Sequence, residues 1–157
     1  MKNLTNLFVS IFFIGYIKIV PGTWGSLAAL FIMHFLFNIL SISLIMLVII
    51  FIILFFLSNS LINYFSSFTD SEDSQHIVID ELLGVYFIFL FYDLIKIYND
   101  FITCILIFVI FRIFDISKIF PASYFDRKVK NGYGVMLDDI IAGLYTVLTL
   151  IVINAFI

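Results

Sequence analysis

The sequence predicts an all-α, polytopic helical membrane protein, with about five transmembrane helices plus an N-terminal interfacial or re-entrant helix. Three observations lead there. The 157 residues are 64% hydrophobic and only 12% charged, with a mean hydropathy of +1.22, too apolar for an ordinary soluble domain. The apolar runs are too long for typical strands and lack strict polar alternation, and a single segment in lipid satisfies its own backbone only as a helix. The polar residues gather in short clusters at the ends of those runs rather than along one face. Residues 1–157 therefore read as a single membrane-embedded domain.

Residues 4–20 are apolar, with Gly15 in the middle and Lys18 near the end. A run of ~17 residues is the lower edge of what crosses a bilayer, so this piece is expected to lie in the interface or re-enter. No small-residue cleavage pattern precedes Lys18, which predicts no removable signal peptide. Pro21-Gly22-Thr23-Trp24-Gly25-Ser26 is expected to break the helix, with Thr23 or Ser26 capping the one that follows and Trp24 suited to the headgroup layer. Apolar runs 27–40 and 42–57, divided by Asn38, Ser41 and Ser43, predict a tight helical hairpin. Residues 58–76, with Asp70, Glu72 and Asp73, read as a surface loop. Run 77–92 carries Asp80 and Glu81 in its first turn, then Gly84. Residues 93–100 form a polar link, 101–114 another span, 115–134 a basic loop and 135–157 the last span.

Composition excludes several functions. A net charge of -3 offers no basic face for nucleic acid. Cys104 is the single cysteine, so neither an intramolecular disulfide nor a Cys-based zinc site can form. Cys104 inside an apolar run reads as a small hydrophobe, His34 and His76 read as incidental, and the phenylalanine stripes read as lipid-facing or packing residues.

Topology gives the polar clusters a common place. Lys118, Arg127, Lys128 and Lys130 make loop 115–134 cytoplasmic by the positive-inside rule, against Lys96 on the other side. Following the chain backwards brings Arg112 and Asp115, then Asp80 and Glu81, then the Pro21-Gly22 motif to that same face. Asp138 and Asp139 open the last helix there. Ionised carboxylates at the ends of membrane segments are costly unless paired, wetted or bound to a cation, so their convergence implies one shared polar site.

The chemistry follows from the donor types. Asp80, Glu81, Asp115, Asp138 and Asp139 supply only oxygen ligands, which suit Mg²⁺ or a similar hard cation carrying a substrate phosphate. Arg112 and Asp115 share a helix face, where a guanidinium can hold phosphate oxygens or a carboxylate in two-pronged fashion. With Lys118 and the backbone-rich turn of Thr23, Gly25 and Ser26, these are the parts of a phosphoryl-transfer site. The attacking group is either a metal-activated water or an aspartate. Each acidic pair alone would also serve as a helix N-terminal charge, and Arg127, Lys128 and Lys130 fit topology and anionic-lipid attraction. Gly84 and Gly143 suit close helix packing beneath the site.

Four motifs carry a resemblance to a known family: Pro21-Gly22-Thr23-Trp24-Gly25-Ser26-Leu27-Ala28-Ala29, Ile77-Val78-Ile79-Asp80-Glu81-Leu82-Leu83-Gly84, Phe111-Arg112-Ile113-Phe114-Asp115-Ile116-Ser117-Lys118, and the stretch from Gly132 through Asp138-Asp139 to Gly143. In this order they resemble the phosphatidylglycerophosphatase A family. The resemblance implies a Mg²⁺-dependent, all-helical enzyme of the bacterial inner membrane that removes the terminal phosphate of phosphatidylglycerophosphate. It further implies catalytic Asp80, Arg112, Asp115, Lys118 and Asp138, with Glu81 and Asp139 added as metal ligands. Asp73-Ser74-Gln75-His76 departs from the pattern ahead of Asp80, and Ile119 and Phe120 separate Lys118 from Pro121 where the family has Lys-Pro.

A cation transporter or channel is the alternative; it would want midplane carboxylates and broken helices paired across repeats, and no repeat is visible. An assembly factor would need an exposed partner surface that these short loops do not provide, so no protein partner is expected. A phospholipid-forming phosphotransferase would need an Asp-Gly and Ala-Arg signature that is absent.

Overall fold

The structure is a computed structural model that describes residues 2–40, 42–65, 76–97 and 99–156. Ser41 and the acidic part of the predicted surface loop, with Asp70, Glu72 and Asp73, lie outside the described residues. Every regular element among those described is helical: α1 Lys2–Val9, a 3-10 turn Ile14–Tyr16, α2 Pro21–His34 running on as a π turn Phe35–Ile39, α3 Leu44–Phe65, α4 Ile79–Phe89, α5 Tyr92–Ile95, α6 Asp100–Ser117, α7 Ala122–Lys128 and α8 Gly132–Ala155.

The N-terminal piece is not one continuous helix. Ile11, Phe12 and Phe13 take left-handed backbone angles (φ 46, 53 and 67), which ends α1 and turns the chain. His76 fastens this turn to the start of α4: its ring is stacked on Tyr16 with centroids 4.1 Å apart, and its Nδ1 lies 3.1 Å from the Gly15 carbonyl.

The Pro21 motif does not break a helix but begins one. Pro21 occupies the first helical turn, where its fixed φ fits and its missing N–H costs nothing, so Gly22, Thr23, Gly25 and Ser26 are helical residues. The helix expected to end at residue 57 continues to Phe65. Its polar extension is held by partners elsewhere: the Gly132 N–H donates to Asn63 Oδ1 at 2.8 Å, and Gly132 packs so closely on Asn59 that a Cβ there would lie 2.7 Å from the Asn59 carbonyl oxygen. Similarly, α6 runs through Asp115 to Ser117, and part of the expected basic loop forms α7. Asn99 and Asn131 cap α6 and α8, accepting from the N–H groups of Ile102 and Gly134 at 2.9 and 3.1 Å.

The apolar segments alternate in direction between two ends. At one end Gly22 meets Glu81, Asn63 meets Gly132, and Lys118 meets Asp138. At the other, Tyr92 donates to Asp100 at 2.9 Å and Asn154 donates to the Leu94 carbonyl at 3.2 Å. Helix α8 packs most extensively on α4, then on α6 and α7. The α4–α8 crossing is close because both sides lack side chains: a Cβ on Gly143 would lie 2.7 Å from the Gly84 carbonyl, and one on Gly84 would lie 2.8 Å from the Asp139 carbonyl. Tyr86, Phe89, Tyr92 and Phe111 fill the middle, and the buried Tyr86 hydroxyl donates to the Leu47 carbonyl at 2.9 Å.

Among the described residues two helices, α3 with 22 residues and α8 with 24, are long and apolar enough to cross a membrane. Helix α4 has 11 residues. That is about 16 Å of rise, about half the length a membrane-crossing helix needs.

Candidate active site

The site lies at the end of the bundle where α2, α4, α6 and α8 begin or finish. Asp80 and Glu81 occupy the first turn of α4, and Asp138 and Asp139 the second turn of α8. The α4–α8 crossing described above is what brings these turns together. One oxygen from each of Asp80, Glu81 and Asp139 lies within 4.8 Å of the others. Glu81 is 9% exposed and Asp139 only 3%.

The cations arrive from α6. Arg112 and Asp115, one turn apart, form an ion pair, and the Arg112 Nη1 also donates to Ser26 Oγ at 3.3 Å. Ser26 in turn donates to the Gly22 carbonyl at 2.8 Å, so the first turn of α2 is joined to α6 through one hydroxyl. Gly22 is set against the acidic cluster directly: a Cβ there would collide with Glu81 Oε1 and sit 3.3 Å from Arg112 Nη1. Gly25 faces Val78, where a Cβ would come within 2.9 Å. Thr23 is half-buried in the same turn, and no hydrogen bond among the described residues joins its side chain to the cluster.

Lys118 caps α6 in a left-handed conformation (φ 43, ψ 52), which turns its side chain back over the site. Its Nζ donates to Asp138 Oδ2 at 2.9 Å and pairs with Asp126 of α7. Partial burial works against its charge, but hydrogen bonds and charge from Asp126 and Asp138 outweigh this and hold the ammonium above its ordinary range. It is a fixed cation.

Sequence reasoning thus placed Asp80, Glu81, Arg112, Asp115, Lys118, Asp138 and Asp139 in one cluster, and the structure brings all seven together, with Ser26 and Gly25 at its edge. One participant was given no role: Asp126 lies in a stretch read as a basic loop, and its signal is the α7 helix, which folds back over Lys118. Gly22 was read as a glycine that allows close approach, and the structure supplies what approaches, the Glu81 carboxylate.

The arrangement is short of positive charge. With Asp126 counted, six carboxyls face two cations. Buried oxygens of three of them, Asp80 Oδ1, Glu81 Oε2 and Asp138 Oδ1, have no hydrogen-bond partner, nor does the buried Arg112 Nε. Unpartnered buried carboxylate oxygens converging from two helices fit a hard divalent cation, with Asp80, Glu81 and Asp139 as the nearest protein ligands. Of the other carboxylates expected as ligands, Asp115 is engaged with Arg112 and Asp138 with Lys118. Arg127, Lys128 and Lys130 are exposed beyond this cluster, while His34 and Cys104 sit at the opposite end, 3.7 Å apart.

Comparison with known proteins agrees over nearly the full chain. A family model described as Phosphatidylglycerophosphatase A matches residues 7–154. A Haemophilus influenzae protein named Phosphatidylglycerophosphatase A is 32% identical over 140 residues, spanning 89% of this chain and 82% of that protein. An Escherichia coli protein of the same name is 35% identical over 146 residues, spanning 91% of this chain and 79% of that protein. A Bacteroides thetaiotaomicron protein, provisionally named a phosphatidylinositol-3-phosphatase, is 32% identical over 143 residues, spanning 84% of this chain and 82% of that protein. No solved structure matches. The four motifs and the helix ends they build all fall within the matched span, and the chain belongs to the phosphatidylglycerophosphatase A family.

Proposed function

We propose that this chain is a Mg²⁺-dependent lipid phosphate monoesterase that converts phosphatidylglycerophosphate to phosphatidylglycerol and inorganic phosphate, working at the cytoplasmic face of a bacterial inner membrane. The observation that carries the reading is the carboxylate cluster of Asp80, Glu81 and Asp139 with two cations beside it, in a chain of this family. Asp80, Glu81 and Asp139 would hold Mg²⁺, which would supply neutralisation of charge on the phosphoryl group.

The chain's own residues do the rest. Arg112 and Lys118 bind phosphoryl oxygens, and each already has a carboxylate partner that fixes its direction. Ser26 holds the guanidinium from the α2 side. Asp138 keeps one oxygen on Lys118 and leaves Oδ1 unpartnered, placed to take a proton from an attacking water. In the reaction a bond forms between phosphorus and the water oxygen, the bond from phosphorus to the glycerol oxygen breaks, and that oxygen leaves as the alcohol with the proton that Asp138 took from the water. A phosphate monoester on a lipid lies at headgroup depth, the level at which these helix ends meet when α3 and α8 cross the bilayer.

The test is phosphate release from phosphatidylglycerophosphate in detergent micelles, with Mg²⁺ and with chelator, for the wild type and Asp138→Asn. We expect activity that needs Mg²⁺ and falls at least roughly a hundredfold in the variant. A folded wild type inactive on every lipid phosphate monoester would overturn the reading. Phosphatidylinositol 3-phosphate run in parallel tests the substrate in the Bacteroides relative's name.

A further inference from the structure

Between α2 and α6 lies a cavity of about 470 Å³, lined by Leu27, Leu30, Phe31, Cys104, Ile105 and Phe108 among others. Its size and lining are those of a site for an apolar ligand. Its position gives it direction. Leu27 follows Ser26, and Phe108 stands one turn before Arg112, so one end of the cavity lies next to the Arg112–Ser26 contact at the edge of the site. From Leu27 it follows α2 to His34, roughly 10 Å along the helix. There it ends on polar groups: Asp100 bridges to Lys96 at 2.8 Å and accepts from Tyr92 at 2.9 Å. One flank is open to the surroundings, because Phe31 and Ile105 are 66% and 46% exposed.

We infer that this groove holds one acyl chain of the substrate, with Leu27, Leu30 and Phe108 acting as specificity-determining residues. The inference rests on the lipid-phosphatase reading and deepens it. A phosphate held by Arg112 and Lys118 sets the glycerol beside Leu27 and Phe108, and the chain then runs along hydrocarbon. The polar floor at Asp100 turns it aside, because hydrocarbon against a charged pair would have to strip that pair of water. A groove of roughly 10 Å thus holds the part of the chain nearest the glycerol, and the remainder leaves by the open flank at Phe31 and Ile105.

Two measurements test this. In the first, kcat/KM for a long-chain and for a dihexanoyl lipid phosphate is compared in mixed micelles for Ile105→Trp, a change at an exposed position that fills the groove. The long-chain to short-chain ratio is expected to fall roughly tenfold, as when contact with a few methylenes is lost. The same change at Ile45, exposed on α3 and outside the groove, leaves the ratio unaltered. An unaltered ratio in Ile105→Trp, in a variant whose helical circular dichroism matches wild type, overturns the inference.

The second needs no turnover. A long-chain lipid phosphate carrying a photoreactive group in mid-chain is crosslinked to the wild type and the labelled peptides are identified. Label on α2 and α6, competed by unlabelled lipid phosphate and not by a neutral diacyl lipid, is expected. Label elsewhere, or equal competition by the neutral lipid, overturns it. Inactivity on all lipid phosphates would sink the phosphatase reading alone, since the crosslink still reports where the chain sits.

Discussion

Gly22 shows how much the site depends on single atoms. It sits in the first turn of α2 with ordinary helical angles, so its lack of a side chain has nothing to do with backbone freedom. What it provides is clearance: a methyl group would land on Glu81 Oε1 and against Arg112 Nη1. In Gly22→Ala the Glu81 carboxylate must swing out of the cluster. Because small misplacements of positioned groups are expensive in rate, kcat/KM is expected to fall roughly a hundredfold, with a weaker apparent Mg²⁺ affinity. Phosphate release titrated with Mg²⁺ reads both, and wild-type values would show that Glu81 is dispensable. At this scale the sequence was informative about charge and about which glycines allow close approach, but not about which group does the approaching. Asp80, Arg112 and Asp138 announce themselves as charges where charge is costly, whereas Gly22 and Asp126 acquire their roles only from what stands opposite.

Among elements, the contact of α4 with α8 decides whether there is a site at all, since it brings Glu81 to Asp139. The backbones approach through Gly84 and Gly143, and the ring of Phe111 closes the same gap, 2.8 Å from where a Cβ on Gly84 would be. Gly84→Ala therefore pushes a packed crossing apart. Overpacking of this kind costs about 1–3 kcal/mol, which is expected to appear as a lowered unfolding temperature in detergent with activity lost in parallel. An unchanged temperature would mean the crossing relaxes freely. Helix existence was legible throughout, because runs such as 42–57 and 135–157 can be little else. Boundaries were not: α3 outruns its apolar stretch because Asn59 and Asn63 find Gly132 on a distant segment, and α2 starts early because proline suits a first turn.

For the molecule as a whole, alternation of direction is the organising feature, and charge and hydropathy along the sequence make it legible. It gathers four motifs at one end and leaves the last residues of α8 at the other, where Phe156 is 88% exposed. If the proposed orientation holds, an impermeant maleimide labels Lys128→Cys only in inside-out vesicles and Phe156→Cys only in intact cells. Cys104 is buried and contributes little background. The reverse pattern would put the site on the outer face. The fate of residues 4–20 was legible only as a length too short to cross comfortably; the three left-handed residues that turn the chain there are not encoded by any glycine or proline.

Lys118 ends α6 with φ 43, an angle at which glycine is the comfortable residue and any side chain carries a penalty of order 1 kcal/mol. Selection for robustness alone would put glycine at this position, and the ammonium over Asp138 would go with it. Thermal hardiness and chemistry consequently favour different residues at one codon. Among the described residues held at positive φ, Lys118 is the one where relieving the backbone would also take an ammonium out of the acidic cluster.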